Sequence, residues 1–152
     1  MQRVAVVLTV LASTLVASAQ TVAEKKQRDA VDETVAKAAD DIADCGKKFK
    51  LAFDWKGYDS IDWKKIGRDK TEYYANEQNS VADLGKGINT LCADKDYKAA
   101  LAKISTIVFV STNDESISLK AVVSRGTLTF RNYTFGSTRH TDDFVSAGKA
   151  AL

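Results

Sequence analysis

Apolar side chains recur along this chain in two rhythms, one of helical period and one alternating. Val31, Val35, Ala38, Ile42 and Cys45 step by four and three, which places them on one stripe of a helix running from about Ala23 to Asp44. Charged residues, among them Lys25, Arg28, Asp32, Glu33 and Lys37, fill the other face. Tyr74, Val81, Leu84, Ile88, Leu91 and Cys92 repeat the rhythm and predict a second long helix from about Thr71 to Ala93. Gly85 and Gly87 weaken that helix by about 1 kcal/mol each relative to Ala, so they mark either a close approach to another element or a break. Asp94 suits the cap of a short helix, Lys95 to Lys103, that buries Tyr97 and Leu101.

The alternating rhythm begins at Phe49, Leu51, Phe53 and Trp55, set against Lys48, Lys50, Ala52 and Asp54. This is a strand with one apolar and one polar face. Ser105 to Ser111 is a compact run of β-branched and aromatic residues, as in a central strand. After a turn at Asn113-Asp114, residues Ile117, Leu119, Ala121 and Val123 alternate with Ser116, Ser118, Lys120 and Ser124. Arg125-Gly126 reads as a tight hairpin turn into Thr127 to Phe135. Thr141-Asp142-Asp143 opens a short C-terminal helix with acids where the helix dipole favours them. The stretch Lys56 to Lys70 is polar but holds Tyr58, Ile61 and Trp63, and so reads as a packed loop. Segregated helices followed by three consecutive strands predict an α+β fold. About four antiparallel strands, the last three a meander, are packed by two longer helices and one or two short ones, in a single domain over residues 20–152.

The first residues do not belong to this pattern. Arg3 is the only charge before Glu24, and Val4 to Val16 is an apolar run of about 13 residues, short of the roughly 20 that span a bilayer. Ala17-Ser18-Ala19 follows with small-x-small spacing, so residues 1–19 read as a cleaved secretory signal peptide. Export, to a periplasm or to the medium, changes the reading of the two cysteines. In an oxidising compartment Cys45 and Cys92 form a structural disulfide. A metal centre would need about four ligands where the chain offers two Cys and one His, and no cofactor motif stands out. The 152 residues carry a net charge of +2, too balanced for a nucleic-acid surface.

Candidate chemistry is sparse. The most distinctive segment, Phe53 to Lys65, holds both tryptophans interleaved with lysines. Tyr58 and Trp63, with Lys56, Lys64 and Lys65, form a candidate binding surface for a protein, peptide or glycan; the alternative is that the rings close the core. Asp54, Asp59 and Asp62 are the carboxylates a small hydrolase would pair. His140, beside Asp142 and Asp143, is the one candidate imidazole base, or else an exposed residue at a helix entry. Asp40, Asp41 and Asp44, near a predicted helix end, are either a partner or cation site or a solvated face. Lys47, Lys48 and Lys50 make a small basic cluster, and Asn132-Tyr133-Thr134 matches a glycosylation sequon. The leading expectation is a non-catalytic binding or interaction module. A small extracytoplasmic hydrolase using the paired carboxylates and a secreted hydrolase inhibitor are the alternatives.

Overall fold

In the computed structural model, which describes residues 21–152, Thr21 Oγ1 accepts the Glu24 amide at 3.1 Å and starts α1 (Val22–Asp41). The leader expectation, residues 1–19, lies outside the described residues. Val31, Val35 and Ala38 bury the predicted stripe. The helix stops at Asp41, earlier than its periodicity suggests; Ile42 still packs in the core, while Cys45 sits in the turn that follows. That turn contains Gly46 at φ +69°, a left-handed conformation that favours glycine. Cys45 bridges to Cys92 near the end of α4 (Tyr74–Ala93), with Cα atoms 4.8 Å apart, which ties the turn after α1 to α4 as expected.

Between β1 (Lys50–Phe53) and α4 the expected loop is instead α2 (Trp55–Ser60), α3 (Trp63–Ile66) and a 3₁₀ turn (Lys70–Tyr73). After α4 come α5 (Lys95–Leu101), capped by Asp94, then β2 (Thr106–Thr112), β3 (Leu119–Ser124), β4 (Thr127–Tyr133) and α6 (Thr141–Ala151).

The sheet corrects the expected topology. Its order is β1-β2-β4-β3, with β1 parallel to β2, β2 parallel to β4, and antiparallel pairing only between β3 and β4. It is a mixed sheet, and the three-stranded meander does not form. Two physical reasons account for this. The chain between β1 and β2 carries α4, and a helical crossover returns a strand in the same direction. Then β2 and β4 present matched inner faces, Ile107 beside Leu128 and Phe109 beside Phe130, all buried. β3 buries less: Leu119 and Ala121 only partly pack on the core, and Lys120, Val122, Val123 and Ser124 are exposed, which suits an edge. The polar segment 113–118 is long enough to step over β4. The β3–β4 hairpin forms as read, with Arg125 at φ +48° and Gly126 at φ +76°.

α1, α4 and α6 pack on one side of the sheet, with α4 between the other two. The two α4 glycines make this possible from opposite sides of the helix. A Cβ on Gly85 would lie 2.9 Å from the Ala38 Cβ of α1, and one on Gly87 would lie 2.8 Å from the Phe144 Cβ of α6. Among the described residues no helix is long and apolar enough to cross a membrane.

Candidate functional site

Three aspartates organise the segment after β1. Asp54 accepts the Gly57 amide at 3.1 Å, Asp62 accepts the Lys65 amide at 3.1 Å, and Asp69 accepts the Thr71 amide at 2.9 Å. Each carboxylate therefore caps the start of a helical turn, satisfying a backbone donor and facing the positive end of its dipole. The Thr71 amide and hydroxyl hold Asp69 below the usual carboxylate range. Asp54 and Asp62, read from sequence as candidate hydrolytic carboxylates, thus have structural partners. Asp59 meets the Arg28 guanidinium from α1 and lies 3.6 Å from Lys70 Nζ.

The aromatic residues behind these caps form a cluster. Tyr58 is fully buried, its ring within 6 Å of Phe53, Trp55, Trp63 and Tyr74. Its hydroxyl donates to the Lys70 carbonyl at 2.7 Å, and burial pushes its pKa far up. Tyr58 is therefore corrected from a surface residue to a core one. Trp55 is also half-buried; it begins α2 rather than extending β1, and its indole N–H donates to Asp32 at 2.8 Å. Trp63 donates to the Tyr58 carbonyl at 3.0 Å and packs edge-on to Phe135, leaving part of its ring in solvent.

What the segment presents outward is an open groove of about 840 Å³, lined by Trp63, Ile61, Lys64, Arg68 and Lys70 together with Asp59, Asp62 and Asp69. Of the residues singled out from sequence, Trp63, Lys64, Asp59 and Asp62 line it; Lys56 and Lys65 are exposed nearby in the chain but do not. Among the described residues Lys56, Lys64, Lys65 and Arg68 make no ion pair, whereas Asp62 and Asp69 are occupied by backbone amides.

Sequence reasoning missed the network behind the groove. Glu24, buried on α1, meets Lys70 Nζ at 2.6 Å and Arg28 Nε at 3.6 Å, and accepts from the Tyr74 hydroxyl at 3.2 Å. It also missed Glu77 on α4. This carboxyl is buried between Ser111 and Thr134, and neither its oxygens nor those two hydroxyls make a well-formed hydrogen bond among the described residues. Glu77 stands on the α4 stripe itself, three residues after Tyr74 and four before Val81, so the helical period was the signal that could have found it.

The remaining candidates lie apart from the groove. His140 caps α6: its amide donates to Asp143 at 2.9 Å, and its exposed ring reaches Asp83 at 3.7 Å. Lys47 donates to the Ala102 carbonyl at 2.9 Å, so it braces the β2 approach, while Lys48 and Lys50 are exposed. Asp44 exchanges hydrogen bonds with Asn89, and Asp40 and Asp41 are exposed. Among the described residues no group of three His, Cys, Asp or Glu side chains is arranged to hold a metal ion. The sequon residue Asn132 is buried, its Oδ1 accepting from Arg139 Nε at 2.8 Å. Comparison of the chain with protein-family models, with curated proteins and with solved structures finds no match.

Proposed function

We propose that this protein is an exported, non-catalytic binding module that engages a protein, peptide or glycan partner through the groove along residues 59–70. The observation that carries this reading is the asymmetry of charge engagement around that groove. Asp62 and Asp69 are held by helix-start amides and Asp59 faces Arg28, while Lys64 and Arg68 stand on the rim with no ion pair among the described residues, beside the part-exposed ring of Trp63. Cations and an indole face in one shallow, pre-organised concavity suit polar partners with some apolar surface. The three caps and the Tyr58–Lys70 and Trp63–Tyr58 hydrogen bonds limit the ordering cost on binding.

The test is native mass measurement of the protein purified gently from its exporting host, beside a Lys64→Glu/Arg68→Glu variant. A complex heavier than the processed chain, lost in the variant while the fold is kept, supports the reading. A bare monomer whose Trp63 fluorescence responds to no peptide or oligosaccharide panel overturns it.

A further inference from the structure

With α1, α4 and α6 all on one side, the sheet turns its other face outward, and that face has an unusual charge pattern. At the outward positions of the four strands stand three cations, Lys50 on β1, Lys120 on β3 and Arg131 on β4, and no carboxylate. Lys120 and Arg131 are direct cross-strand partners in the antiparallel β3–β4 ladder. Such partners hold their Cβ atoms about 5 Å apart, and like charges there destabilise the pair. Neither makes an ion pair among the described residues. Two acids approach from outside the strands: Asp114, in the segment after β2, feels Arg131 but bonds the Ser116 amide and hydroxyl, and Asp62, which lines a concavity with Arg131, accepts the Lys65 amide. The fold therefore holds two repelling cations side by side on an open surface.

We infer that this outward face is a docking surface for an acidic polysaccharide, whose carboxylate or sulfate groups sit against Lys120 and Arg131. Charge complementarity selects the occupant, since an anionic group between the two cations converts their repulsion into two charge-assisted hydrogen bonds. The rest of the face fits a hydroxylated polymer. Thr129 lies beside Val108 and Val122 across the sheet, and Thr127 pairs with Thr106, giving a flat surface of hydroxyls and small apolar groups. Where α2 meets this face, Val110, Thr112 and Arg131 line a concavity of about 350 Å³ with Gly57, Ser60 and Asp62, the last a carboxylate that accepts the Lys65 amide. Lys50 stands on the opposite edge strand, three strand spacings across the sheet and four residues along it from Lys120, roughly 20 Å away.

Other occupants fit less well. A second copy of this face brings cations and no acids. Single-stranded nucleic acid needs a basic groove along its backbone together with aromatic platforms for its bases, and Tyr133 is the one aromatic residue at the outward strand positions. A bilayer surface takes large apolar or aromatic side chains that insert, whereas here the apolar groups are Ala and Val. The inference concerns a surface separate from the groove and stands independently of it.

The experiment is calorimetric titration of the disulfide-intact protein at physiological salt with sized polygalacturonate and with dextran sulfate, neutral dextran serving as control. Two double variants are compared: Lys120→Gln/Arg131→Gln on the sheet, and Lys26→Gln/Lys95→Gln, which removes the same charge from exposed helical positions. The expected result is that at least one acidic polymer binds, dextran does not, the sheet variant binds tenfold or more weakly, and the helical variant stays within twofold. The sheet variant is also expected to melt no lower than the wild type, because the like-charge pair is gone. No binding to either acidic polymer, or equal weakening in both variants, overturns the proposal. So does tighter binding to phosphatidylglycerol vesicles or oligodeoxythymidine that depends on the same two residues.

Discussion

Replacing Glu77 by Gln is expected to stabilise the protein increasingly as pH rises. Burial on α4 pushes this carboxyl up to about 8 from an ordinary 4.5; the neighbouring Ser111 and Thr134 hydroxyls pull it down, but by less. Above about pH 4.5 the unfolded chain releases the Glu77 proton, while the folded protein retains it until about pH 8. In that window the unfolded state binds fewer protons, so stability falls as pH rises. At 1.36 kcal/mol per pH unit, the penalty is roughly 3 kcal/mol at pH 7 and approaches roughly 5 kcal/mol above pH 8. That is a large fraction of the 5–15 kcal/mol typical of a folded domain. Gln has nearly the same shape and does not titrate, and its amide can meet the Ser111 and Thr134 oxygens.

Urea unfolding of both proteins at pH 5, 7 and 9 isolates the effect, because every other titrating group is common to the two and cancels in the difference. The variant's advantage over wild type is expected to grow by about 4 kcal/mol between pH 5 and pH 9. Glu77→Ala should show the same pH dependence from a lower starting point, since it leaves a cavity. A difference that stays flat with pH in both variants refutes the claim that Glu77 is buried as a neutral acid.

Two further predictions concern the scaffold. The Cys45–Cys92 bridge closes a loop of 47 sequence positions, so reduction is expected to lower stability by about 4 kcal/mol on the chain-entropy argument; thiols of the natively exported protein that alkylate before reduction contradict the bridge. Gly87→Ala places a methyl 2.8 Å from the Phe144 Cβ and 3.2 Å from the Thr141 carbonyl, so a loss of about 1–3 kcal/mol is expected even though Ala is the better helix former by about 1 kcal/mol; an unchanged or raised Tm refutes the close α4–α6 contact.

The features legible in the chain were those written in local periodicity. The α1 stripe, the α4 stripe, the β3–β4 turn and the cysteine pair each depend on residues whose spacing or chemistry is visible without knowing what lies opposite. The sheet order was not of that kind. Strand alternation says which face is buried but not which neighbour buries it, and Ile107 and Phe109 match Leu128 and Phe130 only once the chain has stepped over β4. The candidate site divides along the same line. The aromatic segment was visible as composition, and its three aspartates stand two or three residues before the amides they cap, a spacing that signals helix starts as readily as catalytic pairs. Tyr58 carries no such signal, because its burial is imposed by elements distant in sequence, whereas Glu77 lies on the α4 stripe and only its polarity set it apart from that stripe. The same reasoning explains why the Lys120–Arg131 juxtaposition escaped notice. In the sequence the two residues lie on separate strands of a hairpin, each an unremarkable cation. Only the antiparallel register sets them side by side. A repulsion of that kind, on an exposed sheet face where either residue is free to change, is a feature that packing and capping do not require, which is why it points outward to a partner and not inward to the fold.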